Sequence, residues 1–217
     1  MEITYLGHSC FKIKTKEATL VADPFDPELI GIKFPLTDCD IVTVSHNHPD
    51  HNFLGRLRNY RKVINEPGEY ELSNISIIGI PTFHDTKKGE ERGPNTIFVY
   101  ETEELRIAHL GDLGHKLTEK VVEEMGDINI LMISVGHPMS LATSETVEIV
   151  RQIEPEIILP MHYKMQNQKG KAANLISPDE FLKELSLPVE KAGKLMVKIS
   201  DISTEEQKVV LLDVRDH

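Results

Sequence analysis

The sequence is poor in cysteine, since only Cys10 and Cys39 occur among its 217 residues. Two cysteines cannot build the several cross-links on which small disulfide-rich scaffolds depend. We therefore expect both thiols to behave as small buried hydrophobes, as free cysteines commonly do. The same scarcity indicates a reducing compartment, and we expect the protein to be cytoplasmic.

Long hydrophobic runs are also absent from the sequence. No window approaches the roughly 18 consecutive apolar residues that span a bilayer. The first ten residues, MEITYLGHSC, contain neither a basic segment nor a sustained apolar stretch, which argues against a signal peptide. The sequence therefore predicts neither a membrane span nor a membrane partner.

Basic residues are too few to balance the acidic ones. The chain has 24 Lys and Arg against 35 Asp and Glu, which gives a net charge of -11 and a pI near 5.4. A field of that sign repels nucleic acid backbones and anionic lipid surfaces, so we expect a small-molecule substrate and no nucleic acid partner. Any anionic ligand would need a local group of basic side chains.

What the sequence does contain is typical of one α/β domain over residues 1–217, with 40% hydrophobic and 27% charged residues. Short strand-like runs fill the first half, among them EITYLG, CFKIKT, ATLVAD and DIVTVS. Helical patterns begin after residue 115 and alternate with buried strand-like runs such as INILMIS and EIILP. Strands in two groups, each followed by helices, predict two sheets packed face to face with helices outside.

The stretch SHNHPDHNF, residues 45–53, concentrates imidazole and carboxylate groups. In an extended segment, residues two apart point the same way, so His46 and His48 can converge on one cation. Pro49 forces a turn, after which Asp50 and His51 can face a second point nearby. Adjacent points of this kind hold two metals about 3.5–4 Å apart. Imidazole and carboxylate without thiolate suit Zn²⁺, with Mn²⁺, Fe²⁺ or Ni²⁺ as alternatives.

Further ligands are expected where other strands end. His84 follows the run IIGIPTF, Asp112 follows RIAHL, and His162 follows EIILPM. Site residues in layered α/β proteins commonly lie where a strand meets a loop. We therefore predict that these three side chains complete the ligand shells begun by residues 46–51. A solvated polar loop with unrelated histidines is the alternative.

These motifs resemble those of the metallo-β-lactamase fold superfamily. HNHPDH matches its H-x-H-x-D-H signature, ADP at 22–24 looks like its first motif, and FHD, LGDLG and PMHY look like its third, fourth and fifth. The resemblance extends from LGHSCF to PMHY and is strongest to small single-domain Zn-dependent hydrolases, including L-ascorbate-6-phosphate lactonase-like proteins. It implies an α/β fold that is a four-layer αββα sandwich of two mixed β-sheets with helices on both outer faces.

The resemblance also implies a ligand set for two divalent metal ions, Zn²⁺ foremost. The first ion would be held by His46, His48 and His84. The second would be held by Asp50, His51 and His162, with Asp112 bridging the two. Asp50 and Asp112 would be the catalytic carboxylates, and Asp23 would support a histidine ligand without touching a metal. A metal-activated hydroxide would attack a carbonyl or phosphorus centre.

The remaining histidines are expected to differ in role. His8 ends the first strand and is predicted to line the site, where it can contact the substrate. Strand alternation turns His109 away from the metals. His115 and His137 lie in loops after strands, where they face either the substrate or solvent.

Two loops carry basic residues that can bind an anionic substrate. Lys88, Arg92 and Lys164 lie in the loops after the third and fifth motifs. We predict that they bind the substrate, and ordinary solvated side chains are the alternative, because neighbouring glutamates dilute the charge. The polar segment 164–174 is expected to be either a mobile flap or a plain surface loop.

Three functions are consistent with the sequence. The favoured one is a metal-dependent hydrolase acting on a small anionic ester, lactone or phosphodiester. The alternatives are a nuclease acting on RNA or DNA, which the acidic balance opposes, and a metal-binding protein without turnover. The sequence leaves open whether the chain forms a homo-oligomer.

Overall fold

The structure, a computed structural model, describes residues 1–136, 141–203 and 206–214. His137, a predicted substrate-facing residue, lies outside the described residues. The strands are β1 (Glu2–Gly7), β2 (Cys10–Lys14), β3 (Thr19–Ala22), β4 (Thr37–Asp38), β5 (Ile41–Thr43), β6 (Leu57–Arg58), β7 (Lys62–Ile64), β8 (Gly68–Leu72), β9 (Ile75–Phe83), β10 (Pro94–Thr102), β11 (Leu105–His109), β12 (Ile130–Ser134), β13 (Ile157–Met161), β14 (Val189–Ala192), β15 (Leu195–Met196) and β16 (Lys208–Leu212). The helices are α1 (Pro27–Ile30), α2 (Glu119–Met125), α3 (Thr143–Ile153) and α4 (Asp179–Leu185), with 3₁₀ turns at Gly170–Asn174 and Ile199–Asp201.

Two large mixed sheets form the body of the protein. The first has the order β15-β1-β2-β3-β5-β7, and the second has the order β14-β16-β13-β12-β11-β10-β9-β8. A small pair, β4 and β6, lies apart from both. The parallel strands β11, β12 and β13 are almost entirely buried, which is why their sequences are nearly continuous apolar runs.

The main core lies between the two sheets. Tyr5 and Phe11 from the first sheet belong to one buried cluster with Phe98 and Tyr100 from the second. The hydroxyl of Thr43 lies 2.7 Å from the hydroxyl of Tyr100, so a hydrogen bond also joins the sheets across this core. The buried polar pair is satisfied internally, as an interior requires.

The outer faces of the sheets are covered unequally. The second sheet is covered by α2, α3 and α4, whose residues Val147, Val150 and Phe181 are buried against it. Over the first sheet lies a thinner layer, in which Phe25, Phe34 and the one-turn helix α1 pack with the 3₁₀ turn at Gly170–Asn174. The predicted four-layer fold is confirmed, but one helical layer consists of short turns and loops.

Strand direction brings six chain segments to one edge. The strands β1 and β3 are each antiparallel to β2, and β5 is parallel to β3, so all three end on the same side. In the second sheet, β9 and β11 are each antiparallel to β10, and β13 runs parallel to β12 and β11. The loops that leave β1, β3, β5, β9, β11 and β13 therefore lie together.

No helix in the described part of the chain has the length and apolar character needed to cross a membrane.

The polar segment 164–174 is packed in its last half. The backbone N–H of Lys169 donates to the carbonyl of Ile30 in α1 at 2.7 Å. Ala172 and Leu175 are buried in the outer core of the first sheet. These contacts attach the end of the segment to the outer core of the first sheet.

Candidate metal centre

Asp112 lies at the centre of the histidine cluster. Its Oδ2 atom is 3.3 Å from the Nε2 atoms of His51, His84 and His162, and 4.0 Å from that of His46. These side chains come from both sheets, because β5 precedes His46 and His51 while β9, β11 and β13 precede the others. The shared edge therefore brings one carboxylate into contact with four imidazoles.

Two groups of candidate ligands surround this carboxylate. The first contains His46, His48 and His84, whose ligand atoms lie within 4.8 Å of one another. The second contains His8, Asp50, His51 and His162 under the same limit. Asp50 and His48 are partly exposed while the other members are buried, so solvent reaches the cluster over these two side chains. The structure thus brings together the residues of each predicted ligand set, adds His8 to the second, and places Asp23, His46 and His51 in a further group that overlaps both.

The buried donor atoms of the cluster suit a metal. Nε2 of His46 and Oδ1 of Asp112 are both buried with no hydrogen-bond partner among the described residues. A buried polar atom of this kind costs free energy unless something pairs with it. Both atoms are lone-pair donors on residue types that bind Zn²⁺ and similar ions. The residues present therefore fit the metal that the resemblance implies.

Burial keeps the imidazoles of the first group neutral. It lowers the pKa of His46, His48 and His84, and the negative Asp112 only partly opposes the effect. Burial also lowers the pKa of His8 to about 3, and the imidazole of His162 adds to the decrease. Neutral imidazole is the form that binds a metal ion, so these rings are ready to do so without losing a proton.

The carboxylates stay ionised despite their burial. Burial would raise the pKa of Asp112, but the His162 and His51 rings hold it well below its usual value. His51 itself is the exception among the imidazoles. Burial would lower its pKa, yet Asp112 and Asp23, one at each ring nitrogen, raise it. Apart from His51, the cluster combines imidazoles of lowered pKa with negative oxygens, which is the charge pattern of a cation site.

Asp23 lies behind the cluster and holds one of its histidines. The Nδ1 atom of His51 donates to Oδ2 of Asp23 at 2.8 Å, and neither side chain is exposed. Asp23 also has a left-handed backbone, with φ of 44°, as do His8 at 56° and His162 at 53°. Positive φ at non-glycine residues is strained and collects at functional sites, where the surrounding structure imposes it.

His8 is not an exposed substrate contact. Its ring is 1% exposed, and its Nε2 atom lies 3.3 Å from Oδ2 of Asp50. Its carbonyl accepts from the hydroxyl of Tyr5 at 2.5 Å and from the backbone N–H of His162 at 2.7 Å. The structure therefore places His8 beneath Asp50, in contact with a candidate ligand.

His109 and His115 face away from the cluster. Nε2 of His109 donates to the carbonyl of Ser9 at 2.9 Å, and its Nδ1 accepts from the backbone of Gly111. Nδ1 of His115 donates to the carbonyl of Lys116 at 2.8 Å, and its Nε2 accepts from the backbone of Phe83. Both nitrogens of each ring are therefore occupied by backbone groups.

Sequence reasoning missed two polar residues that brace the centre. Ser45 contacts both Asp23 and His46 through its hydroxyl. Asn95, at the start of β10, accepts from the backbone N–H of Asp112 at 3.0 Å through Oδ1. Neither residue type is a usual ligand, and nothing in the local spacing sets them apart. Their only signal was position, since each lies beside a strand end that carries a candidate ligand.

The predicted basic residues are placed unequally around the cluster. Lys88 and Lys164 are exposed, whereas Arg92 is half-buried. Arg92 is among the groups that lower the pKa of His84, after burial and the nearby histidines. Lys171 acts in the same sense on His48, after burial and the charges of nearer residues. Of the basic side chains in the two loops, Arg92 and Lys171 therefore act electrostatically on candidate ligands.

Comparison with known proteins gives a consistent result. Residues 2–162 match the family described as the beta-lactamase superfamily domain. The chain is 30% identical to a UPF0173 protein of Pyrococcus abyssi over 75% of this chain and 83% of the relative. It is 26% identical to a UPF0173 metal-dependent hydrolase of Methanopyrus kandleri over 75% of this chain and 84% of that protein. A Thermotoga maritima structure, described as a candidate Zn-dependent hydrolase of the metallo-beta-lactamase superfamily, shares 36% identity over 97% of each chain, with a TM-score of 0.79.

Proposed function

Since the chain belongs to the beta-lactamase superfamily, within which it is a metal-dependent hydrolase, we propose that it uses two divalent metal ions to hydrolyse a small anionic ester, lactone or phosphodiester. The observation that carries the proposal is the position of Asp112. Its Oδ2 atom lies within 4.0 Å of an Nε2 atom from each of the two ligand groups, so one carboxylate can serve both ions.

The ligand sets follow the two groups. His46, His48 and His84 would hold the first ion. Asp50, His51 and His162 would hold the second, with Asp112 between them. A bound pair of divalent cations makes water acidic enough to ionise near neutral pH and polarises the bond to be cut. Zn²⁺ is favoured, and Mn²⁺, Fe²⁺ and Ni²⁺ are the alternatives, because the donors are imidazole and carboxylate.

Asp50 is the residue best placed to handle a proton. Its side chain is 29% exposed, so water and substrate can approach it, unlike the buried Asp112. Its Oδ2 atom is engaged by His8, which directs the remaining oxygen elsewhere. We infer that this oxygen accepts a hydrogen bond from the attacking water and so orients it. The pKa of Asp50 lies below its usual value, mainly because His8 and His51 outweigh burial, so the group acts as an acceptor.

Arg92 and Lys171 favour a negatively charged substrate. The whole chain carries a net charge of -11, so a cation beside the cluster is a local departure from the field of the protein. Asp85 fixes the loop of Arg92, because its carboxylate accepts backbone N–H groups from Lys87, Gly89, Glu91 and Arg92. A guanidinium carried on a fixed loop near His84 is suited to binding a carboxylate or phosphate.

Metal content and turnover test the proposal together. Elemental analysis of the purified protein is expected to give two divalent ions per chain, and both His48→Ala and Asp112→Ala are expected to lose metal and activity together. His115→Ala is the matched control, and it should keep its metal because backbone groups occupy both ring nitrogens. Full metal content in both site variants would overturn the ligand assignment.

A panel of lactones, phosphodiesters and thioesters identifies the reaction. Turnover of small anionic members that disappears with the metal supports the proposal. Cleavage of labelled RNA or DNA without turnover of any small ester would instead indicate a nuclease. Bound metal with no hydrolysis of any member would indicate a metal-binding protein without turnover.

A further inference from the structure

We propose that Ser45 is a positioning residue that works with Asp23 to fix the tautomer of His46, so that one buried carboxylate orients a histidine ligand in each metal site. The inference rests on the proposed ligand sets. The hydrogen bonds that support it can be observed in the metal-free protein.

The network is short and buried. The backbone N–H of Ser45 donates to Oδ1 of Asp23 at 2.7 Å. The hydroxyl of Ser45 lies 2.5 Å from Oδ2 of Asp23 and 2.9 Å from Nδ1 of His46. Oδ2 of Asp23 also accepts from Nδ1 of His51 at 2.8 Å. All four residues are at most 6% exposed, so water does not compete for these contacts.

The direction of each hydrogen bond follows from counting protons. The ionised carboxylate of Asp23 can only accept, so the single hydroxyl proton of Ser45 must lie toward it. If that proton pointed at His46 instead, two oxygens would face each other at 2.5 Å with nothing between them. The hydroxyl oxygen of Ser45 must therefore accept from His46, which places a proton on Nδ1 of that ring.

The fixed tautomer leaves the other nitrogen for the metal. With Nδ1 protonated, Nε2 of His46 carries a lone pair, and this atom is buried without a hydrogen-bond partner among the described residues. Asp23 accepts a hydrogen bond directly from Nδ1 of His51 and so keeps a proton on that nitrogen too. Because His46 belongs to the first ligand group and His51 to the second, Asp23 connects both sites, directly to one and through Ser45 to the other.

The surroundings allow only a small neighbour beside Ser45. A Cβ atom on Gly111 would lie 2.7 Å from the hydroxyl oxygen of Ser45 and 2.6 Å from its Cβ atom. The carbonyl of Ser45 accepts from the backbone N–H of Thr96 at 2.8 Å, which anchors its backbone to β10. The hydroxyl is thus held in place from two sides, as a group that sets ring orientation must be.

The tautomer can be read in the metal-free protein. Long-range ¹⁵N–¹H correlation spectra of the histidine rings are expected to show His46 protonated on Nδ1 in the wild type and in Ser45→Thr, which keeps the hydroxyl. Ser45→Ala is expected to shift the ring toward the Nε2-protonated form. A wild-type His46 protonated on Nε2 would overturn the proposal, whatever the variants do.

Metal affinity gives the second readout. Outer ligand partners of this kind affect affinity by about 10- to 100-fold. We expect Ser45→Ala to weaken one of the two Zn²⁺ binding steps by that factor and Asp23→Asn to weaken both. Ser45→Thr, which keeps the hydroxyl, should bind Zn²⁺ as tightly as the wild type does. Ser134→Ala removes another buried hydroxyl, one without a hydrogen-bond partner among the described residues, and should leave both steps unchanged. Equal affinities in Ser45→Ala and the wild type would also overturn the proposal. A wild type that binds no metal would sink the proposed function, while the ring spectra would still decide the tautomer.

Discussion

The Nε2 atom of His8 lies 3.3 Å from the Oδ2 atom of Asp50, and its other ring nitrogen is buried with no hydrogen-bond partner among the described residues. Buried N–H groups without an acceptor are rarer in proteins than buried acceptors without a donor. The ring proton of His8 therefore belongs on Nε2, where it is donated to Asp50. We therefore expect His8 to orient Asp50 rather than to bind a metal itself.

The first prediction separates these two roles of His8. Glutamine can place an N–H near the position of Nε2, so His8→Gln should keep most of the activity. His8→Ala should lower kcat by roughly 10- to 100-fold while both metal ions remain bound. Steady-state kinetics and elemental analysis on the same samples decide the matter. Loss of one metal equivalent in His8→Ala would instead make His8 a ligand.

The second prediction concerns the tight approach of Gly111 to its neighbours. Gly111 has φ of +58°, and an added Cβ atom would lie 2.3 Å from Oδ1 of Asn95 and 2.7 Å from Oγ of Ser45. We expect Gly111→Ala to lower the free energy of unfolding by about 2–4 kcal/mol, from backbone strain plus overpacking. Denaturant titration measures the loss.

Gly93 supplies the matched control for this variant. It has φ of +91°, but an added Cβ atom meets nothing within 4 Å. Gly93→Ala should therefore lose only the strain, about 1 kcal/mol. Similar losses in the two variants would show that the contact with Asn95 and Ser45 costs nothing.

The sequence predicted the members of the cluster better than the residues that support them. Alternating strands and loops placed His84, Asp112 and His162 at strand ends, and strand direction then brings those ends together. Ser45 and Asn95 could not be found in this way, because a serine or asparagine beside a strand is common. Their roles arise only when the loops after β3 and β5 meet the start of β10, a relation between two sheets that no local pattern encodes.

The thin layer over the first sheet could not be predicted from the sequence either. The helix α1 is four residues long, which is too short to show helical periodicity. The segment 164–174 reads as polar, yet the buried Ala172 and the nearby Leu175 attach its end to the protein. Two apolar residues in a polar stretch give no pattern, so tertiary contact decides whether such a segment is ordered.

The third prediction tests the charge of the substrate. Arg92→Glu and Lys171→Glu should each raise KM for anionic substrates by about tenfold, because each removes a charge-assisted contact. KM for neutral esters should change little. Lys88→Glu, an exposed residue in the same loop as Arg92, is the control for a general change of surface charge. Equal effects on neutral and anionic substrates would rule out recognition of charge by these two residues.

The fourth prediction concerns acid stability far from the metal centre. Asp40 links the starts of β3, β5 and β7. It immediately precedes β5, and its carboxylate accepts from Arg61, which precedes β7, at 2.6 Å and from the backbone N–H of Thr19 in β3 at 2.9 Å. These two donors, Arg61 foremost, lower the pKa of Asp40 in the folded protein. A depressed carboxyl pKa stabilises the fold above the unfolded-state pKa of about 3.9, and that stability is lost as the pH falls through the folded pKa.

Asp40→Asn should therefore cost about 1 kcal/mol at pH 7 and progressively less below pH 4, because the wild type then loses the same charge. The measurement is urea unfolding of metal-free wild type and variant from pH 7 to pH 2.5, so that metal release does not contribute. Concentrated salt at pH 7 should shrink the difference, since Arg61 is exposed and the pairing is screened. A difference that stays constant across the whole pH range would mean that Asp40 acts through its shape and not through its charge.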